Sequence, residues 1–324
     1  MAKYKGIGGT TVGFRSGAED YPYGTSGNGS EGSIYYNSSN GQFEFVGVAT
    51  GAWSTGANLN TNRRYGAGLG SLTAGLVFGG GNPGTIDNTE SYNGTAWTEV
   101  NDLNAGQVAM GSAGTSTSGM SALGAVSPGN HVEDWDGTSW ASNPHSANSA
   151  RQFPGGDGPS NDSALMVGGE PSPNGAKTEI YNGSSWTEVN DLNTGRNQLA
   201  AAGSTTALIA FGGQPPNLNN AEVWNGSSWT EVNNLNTGRG GINGSGNSTA
   251  ALAIAGDPVT AKTESWNGTA WTEVNDLATA RKFGASSNVT GTTSAFLASG
   301  EEPSIGTATE EWTLVHAIKT VTTS

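Results

Sequence analysis

Short β-favouring runs alternate along this chain with breaks rich in Gly, Asn and Ser, and no long segment carries an apolar stripe of helical period. Residues 194–236 show the pattern most cleanly. Asn197–Gly203 and Ala207–Phe211 read as two strands, the second ending in Gly212-Gly213. A Pro/Asn loop, Gln214–Asn220, leads to Glu222-Val-Trp224, the Asn225-Gly226 turn and a last strand, Trp229-Thr-Glu-Val232. Asn-Gly supplies the φ > 0 positions of a tight hairpin. Gly-Gly suits a bend where Cβ atoms would clash.

The unit recurs from Asn60 onward. The segment Tyr181-Asn-Gly-Ser-Ser-Trp186 has close copies starting at Tyr92, Trp224 and Trp266, and a worn copy over Trp135–Trp140. The second tryptophan falls at Trp53, Trp97, Trp140, Trp186, Trp229 and Trp271, spaced by 44, 43, 46, 43 and 42 residues. A period in the forties marks a propeller or a solenoid.

The order of paired strands, double glycine, aromatic strand and Trp-led outer strand resembles the kelch repeat over about residues 53–313. The double glycine stands at Gly79-Gly80, Gly168-Gly169 and Gly212-Gly213, with Gly124-Ala125, Ala255-Gly256 and Ser299-Gly300 as degraded forms. The resemblance implies an all-β propeller with one four-stranded blade per repeat. Strand pairs begin near residues 61, 105, 149, 195, 238 and 281, and third strands carry Tyr92, Trp135, Tyr181, Trp224, Trp266 and Trp312. After Trp312 no Trp-led fourth strand follows, whereas the one at Trp53 precedes any pair of its own. Six blades follow, the last closed by the N-terminal strand near Trp53, which removes free sheet edges. The expected organisation is an extended Gly-rich arm over 1–33, an aromatic hairpin around Asn40-Gly41 within 34–50, the propeller over 51–315 and a tail over 316–324.

Composition narrows function more than fold. Glycine numbers 52 of 324 residues and the hydrophobic fraction is 34%, so the core is expected to be aromatic clusters, one under each repeat. A net charge of −14 argues against nucleic acid and anionic membranes as partners. No apolar run reaches transmembrane length, and no apolar stretch follows the basic Met1-Ala-Lys-Tyr-Lys, so neither membrane insertion nor a signal peptide is expected. Absence of cysteine excludes thiolate metal sites, disulfides and the Cys-linked Tyr of galactose-oxidase-type propellers.

His131, His145 and His316 fall in different parts of different repeats, so no metal or cofactor is expected. Glu99, Glu188, Glu231 and Glu273, three of them near Asp102, Asp191 and Asp276, recur on the outer strand. Copied carboxylates of this kind suit a solvated edge better than a unique catalytic pair, and no enzymatic activity is expected. Asp136-Gly-Thr-Ser-Trp140 has its Asp and Gly adjacent, unlike the Asp-box of sialidase-type propellers, and reads as a hairpin turn.

Arg63, Arg196, Arg239 and Arg281 each lie ten residues after a blade Trp; Arg151 lies one residue later and Gln107 replaces the cation in the second blade. These five arginines are the candidate ligand-binding residues. One reading rings the channel mouth with them, to hold carboxylates, sulfates or acidic sugars. The other has each tie blades together through a neighbouring carboxylate or carbonyl. The loops Gly81–Asn88, Pro171–Lys177, Gln214–Asn220, Asp257–Lys262 and Glu301–Thr307 differ most between copies, as recognition loops on a rigid scaffold do.

The segment Gly32-Ser-Ile-Tyr-Tyr-Asn…Gly-Gln-Phe is similar to a Gly-x-Tyr-Tyr-Asn…Gly-x-Phe element of tailed-phage fibre and appendage proteins. Kelch-like chains with Asn-Gly-Thr-x-Trp-Thr units are similar to virion proteins of marine phages. The resemblance implies a virion structural protein, tail fibre or capsid decoration, that attaches to other virion proteins through its arm, forms homo-oligomers, and presents the propeller to host-surface glycans or proteins. A secreted lectin-like or adhesive propeller is the alternative.

Overall fold

The structure, a computed structural model, describes residues 34–37, 42–171, 174–288 and 291–320. The arm over 1–33 and the Asn40-Gly41 turn lie outside the described residues. Two compact units divide the chain: Trp53–Thr313, and residues 1–52 together with 314–324.

In the larger unit each repeat folds as four antiparallel strands. Blade 1 is Ala67–Ser71, Ala74–Phe78, Thr89–Tyr92 and Trp97–Glu99, from innermost to outermost, and blades 2 to 5 repeat this order to Trp271–Glu273. Within this unit blade 6 takes Ala285–Ser286, Ser294–Ala298 and the first residues of Thr309–Thr320, and is completed by the last residues of Gln42–Thr55 from the other end of the chain. Innermost strands touch in succession, and that of blade 6 touches that of blade 1. Six blades in a closed ring form a β-propeller, as the Trp53 arithmetic predicts.

In the smaller unit Ile34–Asn37 pairs antiparallel with the start of Gln42–Thr55, Ile34 opposite Phe45 and Asn37 opposite Gln42. The run expected as a tail after residue 315 continues as strand to Thr320.

Two local devices build the outer edge of blades 1 to 5. In the outer hairpin an Asn or Asp side chain accepts backbone N–H groups two and three residues on, as Asn93 does from Thr95 and Ala96, while Gly94 takes a φ of +90°. Aromatics then face each other across the turn: Tyr92–Trp97 at 4.6 Å between centroids, Trp135–Trp140 at 5.4 Å, Tyr181–Trp186 at 5.1 Å and Trp224–Trp229 at 5.5 Å. Blade 6 makes the same pair from opposite chain ends, Trp53–Trp312 at 5.5 Å. The aromatics do not form one cluster beneath each repeat. They pack between neighbouring blades, as Phe211 of blade 4 does against Trp271 of blade 5.

Observed strands start later than the sequence suggests. The expected strand Asn197–Gly203 begins at Ala200, because Asn197 bridges Gln214 and Gln198 adopts φ +54°. The left-handed pair of blade 2 is Leu123-Gly124 rather than Gly124-Ala125, fixed by Leu123 N–H donating to His131 O and Gly124 N–H to Arg151 O.

The outer-strand tryptophans also lock blades laterally. Trp53, Trp97, Trp140 and Trp229 each donate the indole N–H to a Thr hydroxyl, of Thr263, Thr309, Thr89 and Thr178, at the start of the preceding blade's third strand. Blade 4 has Ala221 at that position, and the buried Trp271 N–H has no partner. An unsatisfied buried donor costs roughly 1–3 kcal/mol. Ala221→Thr is therefore expected to raise unfolding free energy by about 1 kcal/mol, read from the denaturant midpoint; a lowered midpoint would contradict this lock.

Candidate functional site at the mouth of the central channel

The third-strand glutamate organises each repeat. Arg63 Nη2 donates to Glu90 Oε1 at 2.6 Å, Arg196 Nη1 to Glu222 at 2.8 Å, Arg239 Nη2 to Glu264 at 3.0 Å and Arg281 Nη2 to Glu310 at 2.6 Å. Arg151 pairs likewise with Glu179. All five arginines are buried, at 2% exposure or less. Burial lowers the pKa of Arg63, Arg196 and Arg239, opposed by the paired carboxylates. The second glutamate oxygen grips the loop arriving from the preceding blade: Glu222 Oε2 accepts Asn193 N and Nδ2, and Glu90 Oε2 accepts Asn60 N and Nδ2. In blade 2, where Gln107 replaces the cation, His131 Nε2 lies 3.2 Å from Glu133 Oε1.

Thus Arg63, Arg151, Arg196, Arg239 and Arg281 do not line the central channel. Their side chains turn into their own blade because the glutamate sits opposite, and the tie to the neighbouring blade runs through backbone. The carbonyls of Arg63, Gln107, Arg151, Arg196, Arg239 and Arg281 each accept the N–H of a left-handed glycine in the preceding blade, at 2.7 to 3.1 Å.

Two residues further on, the chain reaches the channel. Tyr65, Ala109, Phe153, Gln198, Gly241 and Phe283 all hold φ between 54° and 61°. Each donates its N–H to the carbonyl of the equivalent residue in the preceding blade, from Tyr65 N to Phe283 O round to Phe283 N to Gly241 O, at 2.8 to 3.0 Å. Left-handed φ is costly for Tyr and Phe and persists only where surrounding structure enforces it. Here a closed circle of six hydrogen bonds does so.

Side chains on this circle form an uneven collar around a channel of about 130 Å³. Phe283 and Tyr65 meet at 4.4 Å between centroids and Tyr65 and Phe153 at 5.3 Å, all half-buried. Gly241 is required beneath this collar, since a Cβ there would strike the Phe283 ring. Arg64 pairs with Glu301 and lies 5.1 Å from the Tyr65 ring centroid; Lys282 Nζ pairs with Asp257 at 2.8 Å and lies 5.1 Å from the Phe283 ring centroid. Glu170 accepts Gln152 Nε2 at 2.9 Å and Asn197 Nδ2 at 3.0 Å. On the side of blades 4 and 5, Gln198 Oε1 and Asn243 Oδ1 are buried without a hydrogen-bond partner.

Five residues past the collar, blades 1 to 5 carry Gly70, Gly114, Gly158, Gly203 and Gly246, and blade 6 carries Asn288. Asn288 reaches across the ring, accepting Gly70 N–H and donating to Gly114 O and Asp157 Oδ1. Burial pushes the Asp157 carboxyl up to about 7, against the downward pull of N–H groups from Gly203, Gly158 and Asn288.

Other carboxylates stay apart from this site. Glu99, Glu188, Glu231 and Glu273 are exposed, as expected of a solvated edge. His145 is exposed, and the His316 side chain lies outside the described residues. Among the described residues no three His, Cys, Asp or Glu side chains converge as a metal site. Two features escaped the sequence. The glutamates Glu90, Glu133, Glu179, Glu222, Glu264 and Glu310 stand two residues before the third-strand aromatic in every repeat, a signal that was available. The collar residues, two positions after each Arg or Gln107, have no common residue type to mark them. Fold and site together define a closed six-bladed β-propeller. No protein-family model matches the chain, and no curated protein matches it in sequence.

Asp157 sets a pH dependence. Its folded pKa of about 7 lies above the usual value of 3.8, so between those limits the folded state holds a proton that the unfolded chain releases. Its contribution is complete at low pH and is lost as pH rises to about 7; Asp134, pushed up to about 6 chiefly by burial, acts in the same direction. Asp157→Asn is expected to lower the baseline, because its amide opposes Gly203 N–H, and to flatten the fall in melting temperature between pH 4 and 8. An unchanged slope would contradict the assignment.

Proposed function

We propose that this chain is a non-enzymatic binding protein of a tailed-phage virion that displays its propeller to the host surface. The observation that carries the binding half is the contrast between two sets of repeat-equivalent positions. The buried glutamate is the same residue in all six blades, whereas the collar positions share one backbone conformation yet carry Tyr, Ala, Phe, Gln, Gly and Phe. A scaffold that keeps its supports and diversifies the groups around one opening is built for recognition. The loops after each second strand, which vary most, leave from the strand ends next to this collar, as the bridges Gln152–Glu170 and Lys282–Glu301 require.

The virion half rests on the resemblance of the Gly32–Phe45 segment to fibre and appendage proteins; the pairing of Ile34–Asn37 with Gln42–Phe45 is compatible with it. Attachment to other virion proteins and self-association are assigned to the region before the propeller. Immunogold electron microscopy of purified particles, with an antibody to the propeller, tests the reading. Label at the tail tip is expected for host recognition, and label over the head for decoration. Signal confined to the particle-free supernatant would overturn the virion assignment in favour of a secreted adhesive propeller.

A further inference from the structure

The collar has a chemistry more specific than a generic binding face. We infer that the channel mouth binds the terminal sugar of a neutral glycan, its apolar face against Tyr65, Phe153 and Phe283 and its hydroxyls donating to Gln198 Oε1 and Asn243 Oδ1. This rests on the reading of the propeller as a binding module and names its ligand class.

Three observations converge. The first is the aromatic surface: three half-buried rings at the mouth, contributed by blades 6, 1 and 3, with Tyr65 touching both Phe283 and Phe153. Such rings stack on ligands with a flat apolar face. The second is charge. Arg64 is held by Glu301 and Lys282 by Asp257, while Glu170 already accepts two amide donors. Arg64 and Lys282 thus already face carboxylates and Glu170 keeps its negative charge, so the rim carries no cation set apart for an anionic ligand, and a neutral ligand needs no pair broken. The third is the pair of buried amide oxygens without partners, Gln198 Oε1 and Asn243 Oδ1, contributed by adjacent blades. Buried acceptors of this kind seek donors, and a pyranose combines several hydroxyl donors with an apolar ring face. Size agrees: about 130 Å³ is well short of the roughly 300–1,000 Å³ of sites that engulf a drug-sized ligand. That volume spans the whole channel from the collar to Asn288, so no more than one terminal residue enters, with the rest of the glycan outside.

The test uses the full chain on an array of oligosaccharides ending in galactose, glucose, mannose or N-acetylglucosamine, with sialylated and sulfated counterparts and an arginine-containing peptide. A neutral glycan is expected to bind best. Titration of that glycan is then repeated with Phe153→Asn, which tolerates the left-handed backbone, and with Gln198→Ala, which removes an acceptor without removing ring packing. Each is expected to weaken binding at least tenfold with an unchanged melting temperature, while Glu188→Gln on the outer strand binds as wild type. Saturation-transfer NMR on the unmodified protein, expected to mark the C–H protons of one sugar face, gives a readout independent of variant folding. Preference for anionic glycans or the peptide, no glycan binding, or unchanged affinity in folded variants would each overturn the inference. Particles labelled by the propeller antibody without glycan binding defeat this inference alone; glycan binding by a protein found only in the supernatant defeats the virion assignment alone.

Discussion

A buried glutamate in the third strand of each blade is the constraint from which the rest of the ring follows. Its carboxylate accepts the N–H groups of the loop arriving from the preceding blade and, in five of six blades, a fully buried arginine. Replacing either partner leaves an uncompensated charge out of water, a cost far above that of an exposed ion pair. With the side chain held from within the blade, the arginine's carbonyl is free to accept the neighbouring blade's glycine N–H. The chain is thereby aimed, two residues later, at the axis.

That geometry explains why the mouth can vary without loss of the fold. Six hydrogen bonds circle the channel through backbone alone, so residues as different as Gly241 and Phe283 occupy equivalent places. Stability sits in the glutamate–arginine pairs, the inter-blade aromatic packing and the indole–threonine locks. Recognition sits in groups those devices do not use. Departures from symmetry gather near the axis: Asn288 where other blades have glycine, Asp157 beside it, and aromatics at three of the six collar positions.

Much of this architecture was legible in the sequence because it is encoded locally. Asn-Gly turns and facing aromatics specify the outer hairpins, and their period gives six blades, with Trp53 and Trp312 as the two ends of one hairpin. The arginines were legible as a repeated position but not as buried ones, since each partner glutamate lies 25 to 29 residues away in a segment that reads as ordinary strand. The left-handed collar was not legible at all. Nothing local favours φ near 58° at Tyr65 or 56° at Phe153; the circle of bonds that enforces it exists only once all six blades have met.

The account stands on the claim that the repeated arginines hold the propeller together and leave recognition to the collar. Equilibrium unfolding of Arg196→Met, beside the exposed Glu231→Gln as control, tests it directly. The account predicts a loss of about 3–5 kcal/mol for Arg196→Met and a change within about 0.5 kcal/mol for the control. An Arg196→Met protein as stable as the wild type would contradict it, and would return that arginine to the ligand-binding role.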